Sequence, residues 1–248
     1  MIRAIVFDLD NTLTDFMKMK EAAINAAIDG MIDAGFRVPR EQLRARVDAI
    51  YAERGLEFQR VFDELLEREF GEVDPKILAG GIVAYRRARE SELVLYPHAQ
   101  LVLLELVKRG IRLGVVSDAP RLQVWMRLCA LGLQHVFDHV VTFDDTGERK
   151  PAPAPFREVL RRLGVDPHEA MMIGDWAERD VVGARGLGMT TVFARYGDTF
   201  DTKVSGADYD IDDLLELVGI VDKVNGASAG SERSKEDELP QRRCVRRG

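Results

Sequence analysis

Cysteine is nearly absent from this sequence. It occurs only at Cys129 and Cys244, too few for a disulfide framework or a zinc-binding spacing. Cys129 lies in "MRLCALGL", an apolar helical context that predicts a small core residue, and Cys244 lies in a polar stretch. Long apolar runs are missing too: none approaches the roughly 18 residues a membrane-spanning helix needs. The four histidines, His98, His135, His139 and His168, are scattered without ligand spacing. Positive charge is outweighed, 35 Lys and Arg against 42 Asp and Glu, for a net charge of -7. An acidic surface repels nucleic acid and anionic lipid, so neither is expected as a partner. Acids interrupt the N-terminus at Asp8, too early for a secretory signal. The expectation is a cytoplasmic, reducing setting.

What is present is an ordinary globular balance, 46% hydrophobic and 31% charged over 248 residues. Short β-branched runs recur at 2–7, 112–117, 139–142, 170–174 and 190–194. Between the later runs lie segments of helical spacing. One is "DAPRLQVWMRLCALGL", where Leu122, Trp125, Leu128 and Leu131 define the predicted buried side. Strands alternating with helices predict an α/β fold, a Rossmann-like parallel sheet flanked by helices.

The first crossover breaks this rhythm. From residue 15 to 95 no strand is evident, and four amphipathic helices follow one another instead. They predict an all-helical cap domain of residues 15–95 inserted into a catalytic core of 1–14 and 96–222. Beyond "DLLELVG" (213–219) the chain becomes Gly/Ser-rich and charge-mixed, so 223–248 is expected to be a disordered tail.

In an open parallel sheet, ligands bind at the carboxyl ends of the strands. There this sequence places Asp8 and Asp10 after the first strand, Ser117 and Asp118 after the second, Lys150 in the loop after the third, and Asp175 with Asp180 after the fourth. Several carboxylates, a hydroxyl and a lysine on one rim suit phosphoryl chemistry. A phosphate repels an anionic nucleophile, so a carboxylate attacks it only where cations neutralise the field, and Mg²⁺ held by carboxylates is the expected cofactor. Asp8 is then the candidate nucleophile and Asp10 the candidate acid and base. Lys150 and Ser117, with Asp118 beside them, are the candidate phosphate-binding group.

"DLDNTLTD", a strand ending in Ser117, a "KP" lysine and "GDWAERD", in that order, resemble the four motifs of the haloacid dehalogenase superfamily. The resemblance covers about 1–14 and 97–218, and a helical insert directly after the first motif resembles the superfamily's cap. It implies a phosphatase acting on a small phosphorylated metabolite through an aspartyl-phosphate. The implied metal ligands are Asp8, the backbone carbonyl of Asp10, Asp175 and, directly or through water, Asp180. The layout looks most like small-metabolite phosphatases that act on glyceraldehyde 3-phosphate or nucleotides. A phosphomutase remains an alternative, since it shares the nucleophile. A haloacid dehalogenase fits less well, because Asp10 and Asp175 without a cation would repel the substrate. The expected assembly is a monomer or homodimer.

Some residues stand apart from that pattern. Asp118 follows the second-motif serine where relatives often have Asn or Gly, and it is expected to turn away and cap the helix starting near Pro120. Asp144 and Asp145 read as an acidic loop, and Trp176 as a pocket-entrance or packing residue. "GARGLGM" (183–189) closes a helix rather than following a strand, which excludes a dinucleotide loop. Phe16, Met17 and Lys20 are the insert residues expected nearest a substrate.

Overall fold

Alternation in the first strand, β1 (Ala4–Phe7), sets the sheet's two faces. Ile5 and Phe7 enter one apolar cluster, while Ala4 and Val6 enter another on the opposite side. The computed structural model describes residues 1–236, with side chains to 226. After β1 come α1 (Phe16–Asp33), α2 (Arg40–Arg54), α3 (Val61–Phe70), α4 (Pro75–Glu92) and α5 (Ala99–Lys108). Then follow β2 (Arg112–Ser117), α6 (Arg121–Ala130), β3 (His139–Thr142), α7 (Phe143–Thr146) and α8 (Pro153–Leu163). The chain continues through β4 (Ala170–Gly174), a π-helical turn over Ala177–Val181, α9 (Val182–Arg185), β5 (Thr190–Ala194), β6 (Tyr209–Ile211) and α10 (Glu216–Glu236).

The six strands pair in parallel in the order β3-β2-β1-β4-β5-β6. The fold is therefore the expected Rossmann-like sheet. β1 is central, and the winding reverses between it and β4. That reversal opens a crevice at the strands' carboxyl ends.

Helices α1–α4 build a separate apolar cluster from residues such as Ile28, Met31, Phe36, Leu43, Val47 and Leu65. Asp15 starts α1 by accepting the Lys18 N–H at 3.1 Å, and Asp74 starts α4 ahead of Pro75. α1 and α4 approach very closely at Gly30 and Gly80. A β-carbon on Gly30 would lie 2.6 Å from the Gly80 carbonyl oxygen, so only glycine fits. The two connections to the sheet run side by side, where Thr14 pairs with Leu95 and its hydroxyl donates to the Val94 carbonyl at 2.6 Å.

Four expectations need correction. α6 buries Val124, Arg127 and Leu128, whereas Leu122 and Trp125 are exposed. Cys129 lies on its exposed side and is not a core residue. Asp144 and Asp145 form part of a short helix, and the Asp145 side chain closes a capping box with Thr142. The last helix passes residue 222, because Val221 is buried on the core and Asn225 exchanges hydrogen bonds with the backbone of Ile2 at 2.6 and 3.1 Å. Residues 237–248, including Cys244, lie outside the described residues. Among those described, no helix is long and apolar enough to cross a membrane.

Candidate active site

Each strand end delivers its acids by local geometry. Asp8 leaves β1 with its N–H donating to the Ile173 carbonyl of β4 at 2.9 Å, which ties the two strand ends together. Asp175 follows β4 directly, and the π-helical turn brings Asp180 back under it. A β-carbon at Gly174 would collide with the Asp180 carboxylate, so glycine permits that return. One oxygen from each of Asp8, Asp175 and Asp180 lies within 4.8 Å of the others, and all three residues are buried.

Among the described residues a single ammonium faces these acids. Lys150 Nζ contacts Asp8 Oδ1, and it donates to Asp180 Oδ1 at 2.7 Å. Burial works against its charge, but Asp180 and Asp8 overcome this and hold the ammonium well above the ordinary lysine range. Burial, reinforced by Asp8, pushes the Asp175 carboxyl up, and burial does the same for Asp180. Three carboxylates against one ammonium leave two negative charges uncompensated. Hard oxygen donors with that deficit suit a divalent cation such as Mg²⁺. Thr12 bridges the group, its hydroxyl 3.2 Å from Asp175 Oδ1 and 3.4 Å from Asp8 Oδ2.

Asp10 points elsewhere. Its Oδ2 accepts from Arg127 Nη1 at 2.8 Å, and its Oδ1 is buried without a hydrogen-bond partner. Burial raises its carboxyl to about 7 against the pull of Arg127. It therefore sits near neutrality for proton transfer, paired with α6 rather than with the acid triad. Arg127 also donates to Glu57 Oε1 at 2.6 Å and lies over the Phe16 ring.

The second strand end differs from expectation. Ser117 is buried, and its hydroxyl accepts the Ala119 N–H at 3.2 Å. Among the described residues it makes no hydrogen bond to Asp8 or Lys150. Asp118 does not cap α6: the Arg121 N–H is taken by Asp144 at 2.6 Å. One Asp118 oxygen instead accepts the Lys150 N–H at 2.9 Å, and the other pairs with Arg179 at 3.0 Å. Both oxygens are engaged, so Asp118 fastens the lysine loop.

A model of the haloacid dehalogenase-like hydrolases matches residues 2–188. The chain belongs to that family. The hydrolase is 36% identical over 224 residues to the glyceraldehyde 3-phosphate phosphatase of Methanocaldococcus jannaschii, covering 89% of this chain and 97% of that one. It is 35% identical over 229 residues to the enzyme of the same name from Pyrococcus furiosus, covering 91% and 95%. Its fold matches a crystal structure of an HAD phosphatase from Thermococcus onnurineus with a TM-score of 0.69 at 28% identity, covering 89% and 98%.

Sequence reading of the hydrolase missed Thr12, Glu57 and Arg127. Thr12 was within reach, since it stands in "DLDNT" four residues after Asp8. Nothing local marks Arg127 or Glu57, which meet only because α6 and the α2–α3 connection converge.

Proposed function

We propose that this hydrolase is a Mg²⁺-dependent phosphatase of a small phosphorylated metabolite, with Asp8 as nucleophile and Asp10 as acid and base. Glyceraldehyde 3-phosphate is the first substrate to test, on the strength of its relatives' names, and the cytoplasm is the setting this reading expects. The observation that carries the proposal is the buried triad of Asp8, Asp175 and Asp180 at the sheet's reversal, with the Lys150 ammonium against it.

Asp8 and Asp175 are the side chains we assign to hold the cation, with Asp180 directly or through water and the Asp10 carbonyl completing the set. When bound, the cation supplies the positive field that lets a carboxylate approach a phosphate dianion. A carboxylate oxygen of Asp8 attacks phosphorus and the ester bond breaks. Asp10, protonated, gives its proton to the departing alkoxide. The same carboxylate then takes a proton from the water that cleaves the aspartyl-phosphate, which restores Asp8 and releases phosphate. Lys150 orients Asp8 by direct contact, and with Ser117 it is our assignment for holding phosphoryl oxygens.

Helices α1–α4 act in this reading as the cap. Glu57 reaches Arg127 and Gln59 reaches Gln123 across to the core, which closes the rim over a small substrate. The test is phosphate release across a panel of phosphorylated metabolites with Mg²⁺, in parallel with Asp8→Asn. The variant should lose at least roughly 10⁴-fold in kcat while keeping a near-native melting temperature. Wild-type turnover by the folded variant would sink the assignment.

A further inference from the structure

Next to Asp10 lies a cavity of about 20 Å³ between α1, α4 and α6, lined among others by Phe16, Lys20, Glu57, Tyr85, Arg89 and Arg127. Its charges do not balance. Among the described residues Glu57 is its only lining acid, and Glu57 is already engaged by Arg127, which also holds Asp10. Lys20 is 6% exposed. Among the described residues its ammonium meets the Tyr85 hydroxyl at 3.3 Å and the rings of Tyr51 and Tyr85, 4.5 and 5.7 Å from their centroids. No carboxylate lies within ion-pair distance of Lys20 or of the half-buried Arg89 among the described residues.

A buried ammonium without a counter-ion is costly, and folding normally avoids it by pairing. The lost hydration shows in Lys20 itself, which burial lowers to about 8. The folded chain keeps a cation here without supplying its anion, beside the residue that protonates the leaving group.

We infer that this cavity receives a carboxylate carried on the leaving group, so that the preferred substrate is a phosphorylated hydroxy acid. The inference rests on the phosphatase reading above and deepens it. A neutral aldehyde or alcohol leaves Lys20 and Arg89 uncompensated. A second phosphate also carries the charge, and the bisphosphate in the series below separates the two. A carboxylate offers two oxygens in the smallest anionic group available, for charge-assisted bonds from Lys20 and Arg89.

A three-carbon series isolates the recognised group. Phosphate release with Mg²⁺ is measured on 3-phosphoglycerate, glyceraldehyde 3-phosphate, glycerol 3-phosphate and propane-1,3-diol bisphosphate, with p-nitrophenyl phosphate as the minimal substrate. The acid should exceed the aldehyde in kcat/KM by about 10–100-fold, the range of a charge-assisted hydrogen bond. In Lys20→Met that ratio should collapse toward one, and Lys20→Arg should restore much of it. Should Lys20→Met fail to fold, Arg89→Gln at its half-buried position carries the same test on the ratio. Equal or better turnover of the aldehyde or the bisphosphate by the wild type overturns the carboxylate inference alone. No phosphate release from any of the five compounds overturns the phosphatase reading together with it.

Discussion

Arg127 donates to Asp10 at 2.8 Å with one nitrogen and to Glu57 at 2.6 Å with another. Its side chain is 9% exposed, and it joins the sheet's rim to the helical unit through two charges. Breaking such a triad from its centre leaves two carboxylates sharing one partly buried space. Arg127→Met should therefore lower unfolding free energy by about 3 kcal/mol. Adding Glu57→Gln should recover part of that loss, since one of the repelling charges is gone. Denaturant unfolding of the two single variants and the double variant measures the coupling. Strict additivity would mean that the contact does not tie the two units.

Asp10→Asn should spare the fold and lower turnover of an alkyl phosphate by about 10²–10⁴-fold, the usual contribution of an acid–base group. With an aryl phosphate the loss should be smaller, because that leaving group departs with little protonation. Equal losses on both substrates would place Asp10 outside proton transfer.

Chelation should abolish turnover, and Mg²⁺ should restore it. Metal should also stabilise the folded chain, by about 2.7 kcal/mol at a hundredfold excess over Kd. Asp175→Asn removes a charge that Asp8 and Asp180 oppose. Without metal this variant should melt no lower than wild type, while its gain from Mg²⁺ largely disappears. Thermal melts with EDTA and with Mg²⁺ show both effects. An undiminished Mg²⁺ gain in the variant would exclude Asp175 as a ligand.

Lys20 provides a pH signature of stability. Burial lowers it from 10.5 to about 8, with Arg127 and Arg89 lowering it further and Glu57 and Asp10 opposing. Between those values the unfolded chain binds the proton that the folded chain has released. The penalty of the buried ammonium is thus fully present below pH 8 and is relieved as pH rises toward 10.5. The difference corresponds to about 3 kcal/mol as an upper figure. Lys20→Met should be more stable than wild type at pH 7, and the gap should close by pH 10. A gap that is constant with pH would show that packing rather than charge sets it.

Much of this could be read from local pattern. Continuous apolar runs located β1 to β5, because a strand buried on both faces needs no polar alternation, and the acids that end β1 and β4 stood out against those runs. β6 escaped because three residues, Tyr209–Ile211, carry too little periodicity to register. α10 outran its expected end because Gly219 interrupts an apolar spacing that Val221 and Asn225 carry on against the core.

The sequence by itself determined which residues stand at strand ends, since strand length and chain order need only neighbours along the chain. Which face of α6 is buried was decided only in three dimensions. Its Leu122 and Trp125 are as apolar as its buried Val124 and Leu128, but Asp10 and Glu57 meet on the other side and draw Arg127 inward. The fate of Asp118 was likewise tertiary, because its partners Lys150 and Arg179 arrive from distant loops. So was the uncompensated charge of Lys20, which depends on what α4 and α6 fail to bring near it. Local spacing reports period and polarity. Pairing between charges far apart in the chain depends on how the elements dock.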